Sequence, residues 1–344
     1  MPRVSVIIPT YQRPKRLFEA VQSVLAQSYT DFEVIIVKDE EGFDPNDQLW
    51  EIVDSRVRYF AQQHAGRSVA RNRGIAEARG ELIAFLDDDD LYLPHKLASE
   101  VTFLDAHPDV ALVASGTRFT FPNSKNIMVL CPVKTDPPPG LLALLGGCLF
   151  ATCSVMLRKA AMDGMDSWFD PLLDFSEDWD FYLRFALTGA RMAWLPDVVS
   201  VCASIRDGPA SALLHHNQCG KQILDRLFAQ PDIPSEVRKQ QKGIYAHFHI
   251  ICACRAYSCK CIHLAHRELL RALILNPKPV DESKKQIYEV IVKFAQNLFL
   301  QEESEAYIDY VFDHLPAPLA HRPLQGEQVK SRRFAMPPVD LAYS

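Results

Sequence analysis

The sequence has no excess of positive charge and no long hydrophobic run. Its 37 lysines and arginines are outnumbered by 43 aspartates and glutamates, which gives a net charge of −6. An acidic chain is a poor match for polyanionic partners, so we expect no nucleic-acid partner. The longest uncharged apolar stretch, Leu141–Leu157, contains two glycines and is at the lower limit for a membrane span. We therefore expect it to be a buried part of a domain and predict no transmembrane segment.

Two further absences concern targeting and disulfides. The residues before the first apolar segment, Val4–Ile8, show no signal-peptide pattern. The nine cysteines are odd in number and have no spaced framework, as in proteins of a reducing compartment. We predict a cytoplasmic protein, a location that is compatible with peripheral contact at the inner face of a membrane.

Neither of the common glycine-rich phosphate loops is present. No Gly-x-Gly-x-x-Gly follows Val4–Ile8, which disfavours a dinucleotide-binding Rossmann domain, and no Gly-x-x-x-x-Gly-Lys-Ser/Thr loop occurs. A chain of 344 residues with 48% hydrophobic content is nevertheless a normal globular protein. A nucleotide would therefore have to be bound by polar side chains at strand ends.

Strand-like and helix-like patterns alternate over the first part of the chain. Apolar runs that predict strands are Val4–Ile8, Phe32–Val37, Val57–Phe60, Glu81–Leu86 and Val198–Ile205. Helical segments follow the first and the third of these runs, so we predict an α/β fold with a parallel sheet and right-handed crossovers. From about Leu213 only helical periodicity remains, and it predicts helices that include 245–256, 263–275, 287–300 and 306–315. We divide the chain into an α/β domain (1–212), a helical C-terminal region (213–315) and an irregular tail (316–344).

Four consecutive aspartates, Asp87–Asp90, follow the predicted strand that ends at Leu86, and Pro94 opens the next predicted helix. Ligands of open α/β sheets bind at the carboxyl ends of strands. Four neighbouring carboxylates repel one another, and a divalent cation shared with a substrate diphosphate relieves that repulsion. The alternative is a solvated acidic turn. We favour a metal–phosphate site because the run terminates an apolar strand.

Other polar residues are also predicted at strand ends or in the connections that follow. Thr10, Tyr11, Asp39 and Arg71 are suitably placed to contact a nucleoside. An aspartate can accept a hydrogen bond from a uracil-type imide, and a tyrosine can stack on a base. Each residue alone has an ordinary structural explanation, so only their joint position is informative.

A second acidic motif, Glu177-Asp178-Trp179-Asp180, begins a predicted helix that Ser176 can cap. Acidic residues at a helix N-terminus are favoured by the helix dipole, so a purely structural role is a strong alternative.

The helical region also contains four closely spaced cysteines, Cys252, Cys254, Cys259 and Cys261, among several histidines. Residues two apart on a helix point to different faces, which is poor geometry for zinc. We predict that these cysteines are buried as small hydrophobic residues.

Taken together, five segments resemble the family 2 glycosyltransferases. They are Val4–Tyr11, Phe32–Asp39, Gly66–Gly74, Gly80–Asp90 and Glu177–Arg184. The resemblance covers roughly residues 3–207 and implies the GT-A fold, a Rossmann-like domain for nucleotide-diphospho-sugars. It implies an inverting transferase, of hexosyltransferase type, that moves a sugar from such a donor to an acceptor hydroxyl in glycan, polysaccharide or glycoconjugate biosynthesis.

The resemblance also assigns roles to individual residues. Asp178 matches the catalytic base, and Asp87 and Asp89 match the ligands of a divalent metal, Mn²⁺ or Mg²⁺. The residues that match donor contacts are Pro9, Thr10, Tyr11, Arg13, Asp39, Arg71 and Asp88. A UDP-sugar donor is favoured, with a glycan, a lipid-linked molecule or a small molecule as acceptor. An oligomer could form through the helical region.

Two departures and two alternatives accompany this interpretation. The second predicted strand ends in Lys38-Asp39-Glu40-Glu41 where relatives usually have Asp-Asp-Gly-Ser, and Asp207 stands where many relatives have a histidine. One alternative is a non-catalytic carbohydrate-binding or scaffold protein on the same fold. The other is a sugar-1-phosphate nucleotidyltransferase, which is disfavoured because no glycine lies between Pro9 and Pro14.

Overall fold

The computed structural model describes residues 1–41, 53–120, 127–132, 139–203, 210–258 and 261–275. Strands β1 to β9 span Val4–Thr10, Phe32–Lys38, Val57–Ala61, Leu82–Phe85, Leu91–Tyr92, Leu112–Thr120, Ile127–Leu130, Val155–Arg158 and Met192–Ala203. Helices α1 to α9 span Pro14–Leu25, Arg67–Glu77, Lys96–Ala106, Leu141–Leu144, Glu177–Leu187, Ala210–Ala229, Ser235–Lys239, Gln241–Ser258 and Ile262–Leu275. The chain divides into two compact units between Val237 and Arg238.

The first unit is built on one mixed sheet with the strand order β3-β2-β1-β4-β8-β6-β9-β5, and β7 pairs with β6. Strands β1 to β4 are parallel to one another, and β8 is antiparallel to both of its neighbours. β6 and β9 are again parallel. The carboxyl ends of β1, β2 and β4 therefore lie at one edge of the sheet.

The central strands are continuous apolar runs because both faces of the sheet are covered. Every residue of β1 and β4 is buried, as expected of parallel strands flanked by helices. Helix α1 begins at Pro14 and packs an apolar face of Leu17, Ala20, Val21 and Val24 onto the sheet.

Close packing against β1 requires glycine at two positions. A Cβ atom at Gly74 would lie 2.3 Å from Cγ2 of Ile7, and one at Gly80 would lie 2.7 Å from the backbone nitrogen of Ser5. These two glycines let the helix and the following turn approach the strand that carries the candidate site.

The predicted strands and helices of the first unit are present, with differences in detail. The apolar stretch 141–157, predicted to be buried within a domain, contains α4, a short 3₁₀ turn at Thr152–Ser154 and most of β8. Ser176 does not cap α5 as predicted: its backbone is left-handed (φ 59°) and its side chain makes no capping hydrogen bond.

The second unit contains α8 and α9, which confirm the two helices predicted at 245–256 and 263–275. Cys252 is fully buried, as expected, whereas the side chains of Cys254 and Cys259 are outside the described set. His249 Nδ1 lies 2.7 Å from Glu268 Oε2 and joins the two helices. The helices predicted at 287–300 and 306–315, and the tail 316–344, lie outside the described residues. None of the described helices combines the length and the apolar character needed to cross a membrane.

Candidate active site

Neighbouring parallel strands bring the predicted site residues to one edge of the sheet. Thr10 ends β1, and the aspartate run begins two residues after the end of the adjacent β4. The Thr10 hydroxyl donates a 2.8 Å hydrogen bond to Asp88 Oδ2, and the Asp39 backbone N–H donates a 2.8 Å bond to the Thr10 carbonyl. Thr10 and Asp88, both predicted to lie at strand ends, are thus in direct contact in the structure.

Two arginines of the first helical segment face the aspartate run. Arg13 Nη1 lies 3.2 Å from Asp88 Oδ1 and 2.8 Å from Asp89 Oδ2, and Arg16 Nη1 lies 3.4 Å from the same Asp89 oxygen. Both arginines are about half exposed. Burial raises the pKa of Asp88, although the Thr10 hydrogen bond and the Arg13 charge oppose that rise. Arg16 is a site residue that the sequence analysis did not identify.

Arg71 forms the most buried ion-pair network of the site. Its side chain is 1% exposed, with Nη2 2.5 Å from Asp87 Oδ1 and Nη1 2.7 Å from Glu177 Oε1. Burial works to raise the pKa of Asp87, but the charge and hydrogen bond of Arg71, together with the charges of Arg67 and Arg13, lower it overall. Arg71 thus links the end of β4 to the start of α5. The predicted nucleoside contact of Arg71 stays a prediction.

Glu177 is a buried residue of the site for which the sequence analysis predicted no contact. Its side chain is 5% exposed and is paired with Arg71, whereas periodicity did not distinguish among the three acids of α5. The available signal was its position beside Asp178 in the acidic motif. The sequence does not show that Arg71 and Glu177, which are 106 residues apart, are in contact in the fold.

Asp178 lies beside this network at the N-terminus of α5. Its Oδ2 is 3.4 Å from Thr152 Oγ1 and 3.8 Å from Cys148 Sγ. Burial, together with the charge of Glu177, raises the pKa of Asp178 to about 6, and Arg71 partly offsets the rise. A carboxylate with that pKa is ionised at neutral pH and still has appreciable proton affinity, which suits a general base.

Asp180 points elsewhere, as helical rotation predicted. It is buried and paired with Arg184, whose Nη2 lies 2.7 Å from Asp180 Oδ2. The third acid of the motif therefore forms an ion pair within α5.

Asp39 is buried and its two oxygens are surrounded by donors. Oδ1 accepts hydrogen bonds from Gln62 Nε2 and from the Ala65 N–H, at 2.8 and 2.9 Å. Oδ2 accepts a bond of 2.8 Å from the Gly66 N–H and lies 2.9 Å from His64 Nδ1. A base imide would have to replace one of these donors, and His64, 58% exposed, is the most accessible of them.

Tyr11 and Pro9 complete the predicted set. Tyr11 is 42% exposed and stacks on His64 with ring centroids 4.2 Å apart, so an aromatic face borders Asp39. Pro9 is buried inside β1 opposite Val37. The base contacts inferred for these residues stay predictions.

The residues predicted to bind a metal have suitable chemistry. Asp87 and Asp89 supply only oxygen, the donor that Mg²⁺ and Mn²⁺ prefer. Arg71 binds one Asp87 oxygen and the two arginines of the first helical segment bind one Asp89 oxygen, so each carboxylate keeps a second oxygen for a cation. Asp207, which stands where many relatives have a histidine, lies outside the described residues.

Comparison with known proteins gives a family match over the first part of the chain. Residues 5–164 match the model of Glycosyl transferase family 2. An uncharacterized glycosyltransferase of Rickettsia felis is 42% identical over 105 residues, 30% of this chain and 17% of the relative. One of Rickettsia typhi is 29% identical over 194 residues, 54% of this chain and 58% of the relative. The chain thus spans less than two thirds of the length of these relatives.

A third relative matches over more of its own length. The UDP-Glc:alpha-D-GlcNAc-diphosphoundecaprenol beta-1,3-glucosyltransferase WfaP of Escherichia coli is 26% identical over 256 residues, 73% of this chain and 91% of that protein.

Two solved structures share the fold at low identity. Residues 1–349 of S. aureus TarS in complex with UDP-GlcNAc match with a TM-score of 0.57 and 19% identity, covering 91% of this chain and 84% of that one. The mannosyltransferase PcManGT of Pyrobaculum calidifontis, in complex with GDP-Man and Mn²⁺, matches with a TM-score of 0.56 and 17% identity, covering 90% and 86%. The predicted α/β fold of GT-A type, with helices after it, is confirmed.

Proposed function

Because residues 5–164 match the model of Glycosyl transferase family 2, we propose that this protein is an inverting glycosyltransferase. It transfers a sugar from a nucleotide-diphospho-sugar to an acceptor hydroxyl. The observation that carries the proposal is one connected set of polar contacts, from the aspartate run through Arg71 and Glu177 to the start of α5. These contacts connect the aspartate run, which can hold a diphosphate through a metal, to the start of α5, where Asp178 can accept a proton.

We assign donor binding to the part of the site at the carboxyl ends of β1 and β4. Asp87 and Asp89 would hold Mn²⁺ or Mg²⁺, which supplies positive charge to the departing diphosphate. Arg13 and Arg16 are half exposed beside Asp89, so they can turn toward phosphate oxygens and add charge there. The Mn²⁺ in the PcManGT complex supports metal use.

Asp178 is the proposed base. An inverting transfer is a single displacement at the anomeric carbon, so it needs one carboxylate on the acceptor side to take the hydroxyl proton. Thr152 and Cys148 lie at hydrogen-bonding distance of Asp178 Oδ2 and can orient it. Hydrolases, in contrast, place two carboxylates on either side of the bond.

The donor and the acceptor can be proposed more narrowly. We favour a UDP-sugar, because Asp39 lies beside the Tyr11–His64 stack and because WfaP and TarS have UDP-sugars in their names or complexes. A lipid-linked or other glycan acceptor follows from the WfaP name alone. We also propose a cytoplasmic location, where nucleotide-sugars are made available.

The decisive experiment is calorimetry of the full chain with UDP-Glc, UDP-GlcNAc and GDP-Man, with and without Mn²⁺, followed by an assay for released nucleoside diphosphate. One donor should bind only with metal, and Asp89→Asn should lose that binding. The proposal would be abandoned if no nucleotide-sugar bound. Binding without release of nucleoside diphosphate, across a panel of acceptors, would favour a carbohydrate-binding protein. Release of pyrophosphate from a nucleoside triphosphate and a sugar-1-phosphate would favour a nucleotidyltransferase.

A further inference from the structure

A second cluster of metal-ligating side chains includes the last residue of the aspartate run. Asp90, Cys153 and Cys202 place one carboxylate oxygen and two sulfur atoms within 4.8 Å of one another. Cys153 is 1% exposed and Asp90 is 5% exposed. None of the three belongs to the donor and base sites described above.

Three separate elements build this cluster. Asp90 precedes β5, which pairs antiparallel with β9 through Leu91↔Val201 and Tyr92↔Ser200. Continuing that register sets Asp90 opposite Cys202. Cys153 comes from the 3₁₀ turn before β8. The fold therefore holds the three side chains together from parts of the chain that are far apart in sequence.

The donor set differs in chemistry from that of Asp87 and Asp89. Two thiolates and one carboxylate are typical ligands of Zn²⁺, whereas an all-oxygen set suits Mg²⁺ and Mn²⁺. Around a tetrahedral zinc ion with bonds of about 2.0–2.3 Å, ligand atoms lie roughly 3.3–3.8 Å apart, a separation that small side-chain rotations can reach here. The Ser200 hydroxyl, 3.5 Å from Cys153 Sγ, or a water molecule can complete the fourth position.

We propose that Asp90, Cys153 and Cys202 form a buried site for a thiophilic divalent cation, Zn²⁺. This site is separate from the proposed Mn²⁺ or Mg²⁺ site of Asp87 and Asp89 at the carboxyl edge of the sheet. The Cys153 thiol donates a hydrogen bond to the Ser200 hydroxyl, and both thiols lie within 4.8 Å of the Asp90 carboxylate. Binding exchanges the thiol protons for the metal: Zn²⁺ and two thiols give a zinc dithiolate and two released protons. The ion would connect the two-residue strand β5 to β9 and to the 3₁₀ turn before β8. It would thereby fix the position of the aspartate run.

The first measurement uses the wild-type full chain, freed of its tag and purified without chelators from medium containing zinc. Zinc is counted by mass spectrometry, and the chelator-treated protein is then titrated with Co²⁺. We expect about one zinc per chain and a near-ultraviolet sulfur-to-cobalt charge-transfer band, since only thiolate ligands give that band. Oxygen ligation at Asp87 and Asp89 cannot produce it.

Variants then locate the site. Losing a residue that merely supports a ligand weakens metal binding about 10–100-fold, so Cys153→Ser/Cys202→Ser, which removes two ligands, should lower zinc content by at least that much and abolish the band. Cys131→Ser, at a half-buried cysteine outside the cluster, should leave both unchanged. Asp90→Asn should weaken Co²⁺ binding but keep a thiolate band.

Three results would overturn the proposal. They are wild-type protein with no zinc and no thiolate–cobalt band, zinc that is unaffected by the double substitution, and a Cys153–Cys202 disulfide found by mass spectrometry in protein kept under reducing conditions. If the double variant does not fold, Asp90→Asn decides, because its affinity for Co²⁺ stays at the wild-type value only if the metal is bound elsewhere.

Discussion

Asp178 carries the first prediction at the scale of single residues. Its pKa is raised to about 6 by burial and by Glu177, so the ionised base is lost as the pH falls below that value. We expect kcat/KM to fall about tenfold per pH unit on the acid side of pH 6. Asp178→Asn should cost about two to four orders of magnitude in kcat. The measurement is a pH–rate profile with saturating metal, under conditions in which chemistry is rate-limiting.

Stability gives this prediction its control. A carboxyl whose folded-state pKa is raised binds protons more tightly when folded, so its contribution to stability is lost as the pH rises from about 4 to about 6. Asp178→Asn removes that cost, and the variant should be at least as stable as the wild type at pH 7. Asp180→Asn should show the reverse: lower stability, because Arg184 loses its partner, and a near-normal rate. A slow and destabilised Asp178→Asn would instead indicate a structural role.

Glu177 carries the second prediction. Glu177→Gln removes a charge that raises the pKa of Asp178, so the acid limb of the pH–rate profile should move to lower pH. The variant should also lose stability, but less than the roughly 3–5 kcal/mol of a buried charge left alone, because Arg71 keeps its pair with Asp87. Urea unfolding and the pH profile measure the two effects. Glu177→Asp, which retains the charge, should keep the limb near its wild-type position; an unmoved limb in Glu177→Gln would contradict the argument.

At the scale of elements, α3 contains a fully buried ion pair that accepts a hydrogen bond from the sheet. Lys96 and Glu100 are both 0% exposed and paired one turn apart, and Ser115 of β6 donates a 2.8 Å hydrogen bond to Glu100. Lys96→Met leaves the carboxylate buried without its cation, which should cost about 3–5 kcal/mol at pH 8.

The pH dependence of that loss has a definite sign. Burial raises the pKa of Glu100 and the Lys96 charge opposes the rise, so without Lys96 the pKa rises further and protonation relieves the penalty. The loss should therefore shrink between pH 8 and pH 5 in urea unfolding. Lys96→Met/Glu100→Gln should recover most of the stability because glutamine accepts the Ser115 bond without a charge. A pH-independent loss would mean that packing, and not charge, accounts for it.

Elements differed in how far the sequence could predict them. Strands β1, β2 and β4 were predictable because buried parallel strands are continuous apolar runs, and so were the residues at their ends. The stretch 141–157 was recognised as buried, but its division into α4, a 3₁₀ turn and β8 was not, because short apolar runs fit helix and strand equally well. Cys148, Thr152 and Cys153 come from that stretch, so two contacts of Asp178 and one ligand of the proposed zinc site could not be foreseen.

At the scale of the whole molecule, the compact unit that contains the site continues beyond the predicted boundary at 212. Helix α6 buries Ile223, Leu224 and Leu227, Arg226 is paired with Asp170, and the unit extends to Val237. The sequence shows where the strands end, but it does not show that α6 belongs to the same compact unit.

A pair of truncations tests this boundary. A chain of residues 1–239, which keeps α6 and α7, should fold and bind the nucleotide-sugar with the affinity of the full chain, because every described contact of the candidate site lies before Val237. A chain of residues 1–212 loses three buried aliphatic side chains, each worth roughly 1.5–3 kcal/mol, and should be unfolded or aggregated. Donor calorimetry and urea unfolding compare the two. A folded 1–239 chain that fails to bind donor would show that residues beyond 239 contribute to the site, and a 1–212 chain as stable as 1–239 would place the boundary where the sequence predicted it.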